Sequence, residues 1–382
     1  MFRHQLLRFA QLVNRKTSWL DGLKSKIGID RLVQRLLAPP VTSGEREKII
    51  RNLRTTLVDD QVVALKEKGL SPDFWILLMF SMGDIVACEP IARYLKKIAP
   101  NGRTHWIVQD RFTEILTANP SIDEVVPARS LSAGKALLSE KVSMLGNAVS
   151  IDCHFDGTSC AMTNQIFDNP ANPQINVHTH YAVGPLLGSF ALAAGLPWLD
   201  DAPTFHFAKG CSLPEEIDSG CVVFHCHSNE RCRDWDDAKW NELASWVVSK
   251  GLKIVEVGTR KVLRARKNVV DFTGYRTIQQ VATIIKNAAL FIGIDSVFGH
   301  VANATRTPAI ILLGKYRNFK TYFPYSGDFA RSPAFRIVRA PNAQAAARIP
   351  VETVIGAVDA WLQACAPGLM QNAVPLANRG SK

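Results

Sequence analysis

Three short clusters in this 382-residue chain bring together side chains that can do chemistry, each directly after an apolar run. Ser81-Met82-Gly83-Asp84 follows FWILLMF. Glycine there permits a tight turn, and Asp84 stands at the start of a helix beginning near Ile85, where backbone amides converge. A carboxylate so placed can take a proton from a hydroxyl as a general base, or it can simply cap the helix. His227-Ser228-Asn229 and Arg233 follow CVVFHC and offer hydroxyl, amide and guanidinium groups suited to a phosphate, because arginine presents a rigid fork of donors. Gly293 to His300 closes ALFIGID and opens the helix HVANATR. Asp295, Ser296, the helix amides and His300 then lie within one turn, the groups needed to hold a pyrophosphate and a sugar hydroxyl together. Taken alone, His300 also reads as a core histidine.

Metal chemistry is a weaker reading. Asp234-Trp235-Asp236 has the DxD form that some transferases use for a divalent ion, but Asp236 reads first as the cap of the Lys239-Trp240 helix. The eight cysteines show no regular spacing and no CxxC pair, so no disulfide framework is expected. Cys153, His154 and Cys160, with His225, Cys226, His227 and Cys232, can be drawn as a zinc site. Ligands adjacent or alternating on a strand point to different faces, however, and no metal is expected.

The elements that must position these clusters follow from periodicity. From residue 74 short apolar runs alternate with helical stretches: FWILLMF, EPIARYLKKIA, THWIVQ, RFTEILTAN, EVVPA. This is strand, helix, strand, helix, strand, the texture of βαβ units around a parallel sheet. It returns after Pro214 with CVVFHCH, a helix from Ala238 to Ser249, LKIVEVG, a helix from Thr277 to Asn287, ALFIGID and AIILLG. The expected class is α/β: two Rossmann-like domains, at 71–205 and 206–365, divided between Leu199 and Glu216. The second closes with the helix PVETVIGAVDAWL, and 366–382 is a loose tail. In open α/β sheets ligands bind beyond the carboxyl ends of the strands, which is where all three clusters stand.

Charge excludes a nucleic-acid partner. The formal net charge is +11, but the first 70 residues alone carry +7, so the body has no global basic field, and the base-stacking motifs of RNA-binding sheets are missing. Residues 1–70 read as a basic helical extension: Phe2, Leu6, Phe9 and Val13 recur at helical spacing among Arg3, Arg8, Arg15 and Lys16. A second helix is expected after Ser43 with Ile49, Ile50, Leu53 and Leu57 on one face. Attachment to an anionic inner-membrane surface and packing on the body are equal readings of this extension. No apolar run is long enough to span a bilayer, and the first residues lack a secretory signal, so the expected location is the cytoplasm or the inner face of its membrane.

Together these residues resemble glycosyltransferase family 9, the ADP-heptose:lipopolysaccharide heptosyltransferases. SMGDIVACEPIARYLKKIAP is similar to the family's GD-x5-P motif and its helix, and NPSIDEVVP to its next strand. TGYRTIQQVATIIKNAALFIGIDSVFGHVANATRTPAIILLG is similar to the second signature, an Asp-Ser/Thr-Gly-x-x-His turn between strand and helix. The likeness spans roughly residues 74–362. It implies a GT-B fold, with two Rossmann-like domains facing a cleft, and inverting, metal-independent transfer that needs no cofactor beyond the nucleoside-diphosphate sugar. By position it implies Asp84 as general base on an acceptor-side turn of Ser81, Met82 and Gly83. It implies Ser228, Asn229 and Arg233 at the donor phosphates, Asp295, Ser296, Gly299 and His300 in the sugar and pyrophosphate turn, and Thr273, Gly274 and Arg276 near the nucleoside. The implied acceptor is a glycan, a lipid-linked sugar or a protein hydroxyl. Three residues depart from the pattern. Val297 replaces a glycine and is expected to narrow the donor site or change which sugar fits. Arg233 replaces lysine. Arg276 stands at an apolar position and points to a nucleobase other than adenine. The alternatives are a catalytically silent sugar-nucleotide-binding scaffold and a GT-B sugar-nucleotide epimerase.

Overall fold

The computed structural model describes residues 53–365, apart from 80, 170, 317–318 and 320–321. The expected helical stripe at Phe2 to Val13, the residues Ile49 and Ile50, and the tail from 366 lie outside the described residues. Leu53 precedes the first helix, α1 (Leu57–Glu67), instead of continuing it. Val58 and Val62 decide that start, because they are the residues α1 buries. The helix is pinned to the body: Val58 N–H donates to Gly195 O, and the Tyr94 hydroxyl donates to Asp59 at 2.8 Å. This stretch of the expected extension therefore packs on the first sheet's layer of helices.

That sheet is built from β1 (Asp73–Leu77), β2 (Arg103–Gln109), β3 (Glu124–Ala128) and β4 (Ala148–Asp152), all parallel, in the order β3-β2-β1-β4. Its crossovers carry α2 (Met82–Ala87), α3 (Glu89–Ile98) and α4 (Leu131–Met144). The helix expected in RFTEILTAN is a 3₁₀ segment, Asp110–Ile115. Within it only Phe112 and Ile115 are buried, a spacing of three that the tighter helix satisfies. A two-strand ribbon, β5 (Thr158–Ser159) and β6 (Ile166–Phe167), and the helices α5 (His180–Val183) and α6 (Leu186–Ala193) follow. Every residue of α6 is buried, so the longest apolar run of the sequence is a core helix. Among the described residues no helix is long and apolar enough to cross a membrane.

The second sheet has six parallel strands: β7 (Val222–His225), β8 (Ile254–Gly258), β9 (Val269–Thr273), β10 (Leu290–Ile294), β11 (Ala309–Leu313) and β12 (Phe335–Arg339). Their order is β12-β11-β10-β7-β8-β9. Three strands run outward on each side of the β7/β10 junction, the doubly wound arrangement with a crevice where strand order reverses. The helices are α7 (Asp237–Ser249), α8 (Ile278–Lys286), α9 (Val297–Thr305) and the closing α10 (Val351–Cys365). The strands read as unbroken apolar runs because both faces are covered: β7, β10 and β11 are buried at every position.

Both motifs leave a strand at such a junction. The Ser81–Asp84 turn follows β1, which lies between β2 and β4, and Asp295 follows β10, which lies between β7 and β11. One apolar core runs through both halves, joining Ile85, Val86 and Ile115 of the first to Ile278, Val281, Phe298 and Val301 of the second. Gln279 stitches the same face with polar bonds. Its side-chain amide donates to Glu114 O at 3.1 Å and His206 O at 3.2 Å, and its carbonyl accepts from Ala208 N.

Candidate active site

A cavity of about 350 Å³ lies where the two turns meet, within the range of small-molecule sites. Its lining includes Ser81, Met82, Gly83 and Asp84 from the first half, and Ser228, Asn229, Arg233, Gly274, Arg276, Asp295, Ser296 and His300 from the second. Two of the residues singled out from sequence stand outside that lining. Thr273 turns its hydroxyl to Asp271 at 2.6 Å. Gly299 lies on the inner side of α9, where an added Cβ would collide with the Tyr325 hydroxyl.

On the first half, Ser81 is the N-cap of α2, and its backbone N–H donates to Asp84 Oδ2 at 3.0 Å. The capping and catalytic readings of Asp84 thus coexist: the carboxylate holds the helix start while lining the cavity. Gly83 is not the turn-former that its sequence position suggested. It lies inside α2, and what it permits is close approach, since a Cβ there would sit 3.3 Å from His300 Cδ2 and 3.6 Å from Val297 Cα. Val297, partly buried, packs against the shared core at this contact.

On the second half, Asp234 organises the loop after β7. Ser228 N–H and Oγ donate to its Oδ1 at 2.8 and 3.1 Å, and His227 Nδ1 is 2.8 Å from its Oδ2. Asp236 is the N-cap residue of α7 but makes no side-chain cap bond, and pairs instead with Lys239 at 3.3 Å. The two aspartates of the DxD stretch therefore do separate structural jobs. Ser296 is a true cap, its Oγ accepting from Phe298 N–H at 3.2 Å, so the α9 amides open beside the cavity. Gly274 turns the chain after β9 with φ +99° and donates to Gly258 O at 2.8 Å, while the Arg276 guanidinium lies 4.3 Å over the Phe272 ring.

Asp295 is the electrostatic centre. It is 3% exposed, and its two oxygens accept from different tyrosines: Oδ1 from Tyr325 at 2.9 Å, Oδ2 from Tyr322 at 2.8 Å. Arg233 Nη1 lies 3.5 Å from Oδ2 and donates to the Asp295 carbonyl at 3.3 Å, and its guanidinium stacks 4.0 Å over Tyr316. Burial and the adjacent carboxylate push both tyrosine hydroxyls far above their ordinary range, so they stay protonated donors. The Asp295 charge raises Arg233 against the opposing cost of burial. Burial lowers His300 to about 4, and its Nδ1 has no hydrogen-bond partner among the described residues. Burial likewise lowers His225 to about 4, where its Nδ1–H donates to Val257 O at 3.1 Å. Both rings are neutral at pH 7. No three His, Cys, Asp or Glu side chains among the described residues converge as a metal site.

The tyrosines were not picked out from sequence, and His225 was drawn only into the zinc set, although the rule that found the other clusters applied to them. His225 ends β7, and Tyr316, Tyr322 and Tyr325 follow the carboxyl end of β11. Their chemistry was hidden because tyrosine reads as core until a buried carboxylate is seen beneath it.

The chain is similar to known proteins over most of its length. The family model Glycosyltransferase family 9 (heptosyltransferase) matches residues 194–341. Lipopolysaccharide heptosyltransferase 3 of Escherichia coli K12 is 22% identical over 341 residues, covering 76% of this chain and 98% of its own. Among solved structures, a glycosyl transferase family 9 protein from Veillonella parvula aligns with TM-score 0.57 at 16% identity, covering 77% of this chain and 99% of its own. E. coli ADP-heptose lps heptosyltransferase II aligns with TM-score 0.55 at 16% identity, covering 76% and 98%. The fold is GT-B.

Proposed function

We propose that this chain, a glycosyltransferase similar to the family 9 heptosyltransferases, moves heptose or a related sugar from a nucleoside-diphosphate sugar to a hydroxyl of a cell-envelope glycan, a lipid-linked sugar or a protein. In this reading residues 206–365 hold the donor and 71–205 present the acceptor. The observation that carries it is the meeting of the Asp84 turn and the Asp295–His300 turn on one cavity, separated only by the missing side chain of Gly83. A carboxylate on one wall thus faces phosphate-binding groups on the other.

The reaction is a single displacement at the anomeric carbon. Asp84 accepts the acceptor hydroxyl's proton, the new C–O bond forms on one face, and the nucleoside diphosphate departs with the bonding pair from the opposite face, inverting the centre. Charge developing on the diphosphate is met by Arg233 and the α9 amides, so no divalent ion is required. Val297 narrows the donor side of the contact. Attachment of the part of residues 1–70 that precedes α1 to the inner-membrane surface belongs to the same reading.

The test is transfer from a panel of nucleotide sugars that includes ADP-heptose, in EDTA, to envelope glycan acceptors. Asp84→Asn should lower kcat about 10²- to 10⁴-fold with little change in donor affinity. Wild-type-like turnover by a folded Asp84→Asn removes Asp84 as the base, and sugar release or isomerisation without an acceptor replaces transfer by an epimerase-type reaction.

A further inference from the structure

A buried carboxylate must have its lone pairs met, or it destabilises the fold. At Asp295 each oxygen accepts one hydroxyl from a different tyrosine, and both tyrosines come from the segment after β11. The unmet group lies on the partner. Arg233 is pinned by Asp295 through Nη1 and by Tyr316 through its face, yet its Nε is buried with no hydrogen-bond partner among the described residues. Among the described residues, the donor left unpaired at this point therefore belongs to the cation, while each Asp295 oxygen already accepts one tyrosine hydroxyl.

We propose that Tyr322 and Tyr325 are positioning residues that lock Asp295 as a fixed counter-charge behind Arg233, so that Arg233 meets the diphosphate of the ligand and Asp295 does not take a sugar hydroxyl. Tyr316 is the third member, holding the guanidinium plane from the side. The arrangement keeps a desolvated cation oriented before any ligand arrives, which lowers the cost of binding an anion. It also makes the sugar half of the ligand depend on residues other than Asp295. The inference rests on the reading of the cavity as a nucleoside-diphosphate site.

The experiment is calorimetric titration of the full chain and of Tyr322→Phe, Tyr325→Phe and Tyr316→Leu. The probes are ADP, GDP and UDP, the nucleosides adenosine, guanosine and uridine, and the nucleotide sugars ADP-glucose, GDP-mannose and UDP-glucose. Each phenylalanine variant should lose about tenfold or more of the preference for the diphosphate over its nucleoside, the scale of one hydrogen bond to a charged group, while nucleoside binding stays as in the wild type. Because both hydroxyls serve one carboxylate, the double variant should lose less than the product of the single losses. Tyr316→Leu, which leaves the Asp295 bonds intact, should lose the same preference and keeps the test open if a phenylalanine variant does not fold. Asp295→Asn should weaken diphosphate and nucleotide sugar by the same factor. An unchanged diphosphate preference in the tyrosine variants overturns the clamp, as does equal loss of nucleoside and diphosphate. A loss in Asp295→Asn confined to the nucleotide sugar assigns Asp295 to a hydroxyl and overturns it too. If the wild type binds none of the nine ligands, the nucleoside-diphosphate reading itself fails and the clamp falls with it.

Discussion

Gly83→Ala probes how closely the two turns must approach. The added Cβ would lie 3.3 Å from His300 Cδ2 and 3.6 and 3.7 Å from Val297 Cα and N, so either the imidazole or the α9 backbone must yield by a few tenths of an ångström. The imidazole has little room, being 4% exposed and set 4.7 Å from the Tyr325 ring. Overpacking of this kind costs roughly 1–3 kcal/mol, and alanine recovers about 1 kcal/mol of helix propensity over glycine in α2. The net stability change should be between zero and about 2 kcal/mol, small enough for the variant to fold. Catalysis should suffer more, because Asp84 and the α9 amides belong to opposite halves and the substitution wedges them apart. With about 10²-fold lost per ångström of misplacement, a few tenths predicts a loss of roughly three- to tenfold in kcat/KM. Nucleoside-diphosphate release in the presence of acceptor, with thermal unfolding in parallel, measures both. Wild-type kcat/KM in Gly83→Ala would refute the argument that the contact sets the reacting geometry, and so would unchanged rates in the bulkier Gly83→Val if it folds.

Three further outcomes are expected. His225 and His300 both fall from 6.5 to about 4 on burial. The unfolded chain therefore binds more protons between those values, and stability present above pH 6.5 is lost as pH falls toward 4. The scale is about 3 kcal/mol for each histidine, and denaturant midpoints at pH 7, 5.5 and 4.5 should step down accordingly, a flat series contradicting their buried neutral state. Asp234→Asn should weaken nucleoside-diphosphate binding by loosening the Ser228 loop, whereas Asp236→Ala, which loses only an exposed pair to Lys239, should change stability by less than about 1 kcal/mol and leave binding intact. Equal loss in both, rescued by added divalent ions, would restore the DxD metal reading. Gln279→Ala removes the side-chain bonds to Glu114 O, His206 O and Ala208 N–H, only the first of which joins the two halves, and should cost about 2–4 kcal/mol in chemical denaturation.

Element type was legible wherever burial is two-sided and the run is apolar throughout. The strands at FWILLMF, CVVFHCH, ALFIGID and AIILLG, and the helices after them, stand close to where periodicity put them. Strands exposed on alternate positions were not visible. β4, AVSID, buries only alternate residues, and β9 and β12 mix charges with apolar residues because they form sheet edges. The short helix in RFTEILTAN carried too few apolar positions to separate α from 3₁₀.

For the site, the sequence by itself determined which groups stand at strand ends: Asp84 after β1, Ser228 and Arg233 after β7, Asp295 and His300 after β10. Strand-end chemistry is local, written in an apolar run followed by a polar turn. Tertiary structure alone decided how those groups are spent. Nothing in the sequence around Asp295 announces that Tyr322 and Tyr325, 27 and 30 residues further on, donate to its two oxygens. Nor does the DxD spelling show that Asp234 accepts from Ser228 and so holds the loop after β7. Gly83 could read as a turn residue until His300 of the opposite half filled the space beside it. In each case the deciding partner is remote along the chain, and a lone pair or a Cβ-sized space has no signature until folding brings that partner within about 3 Å.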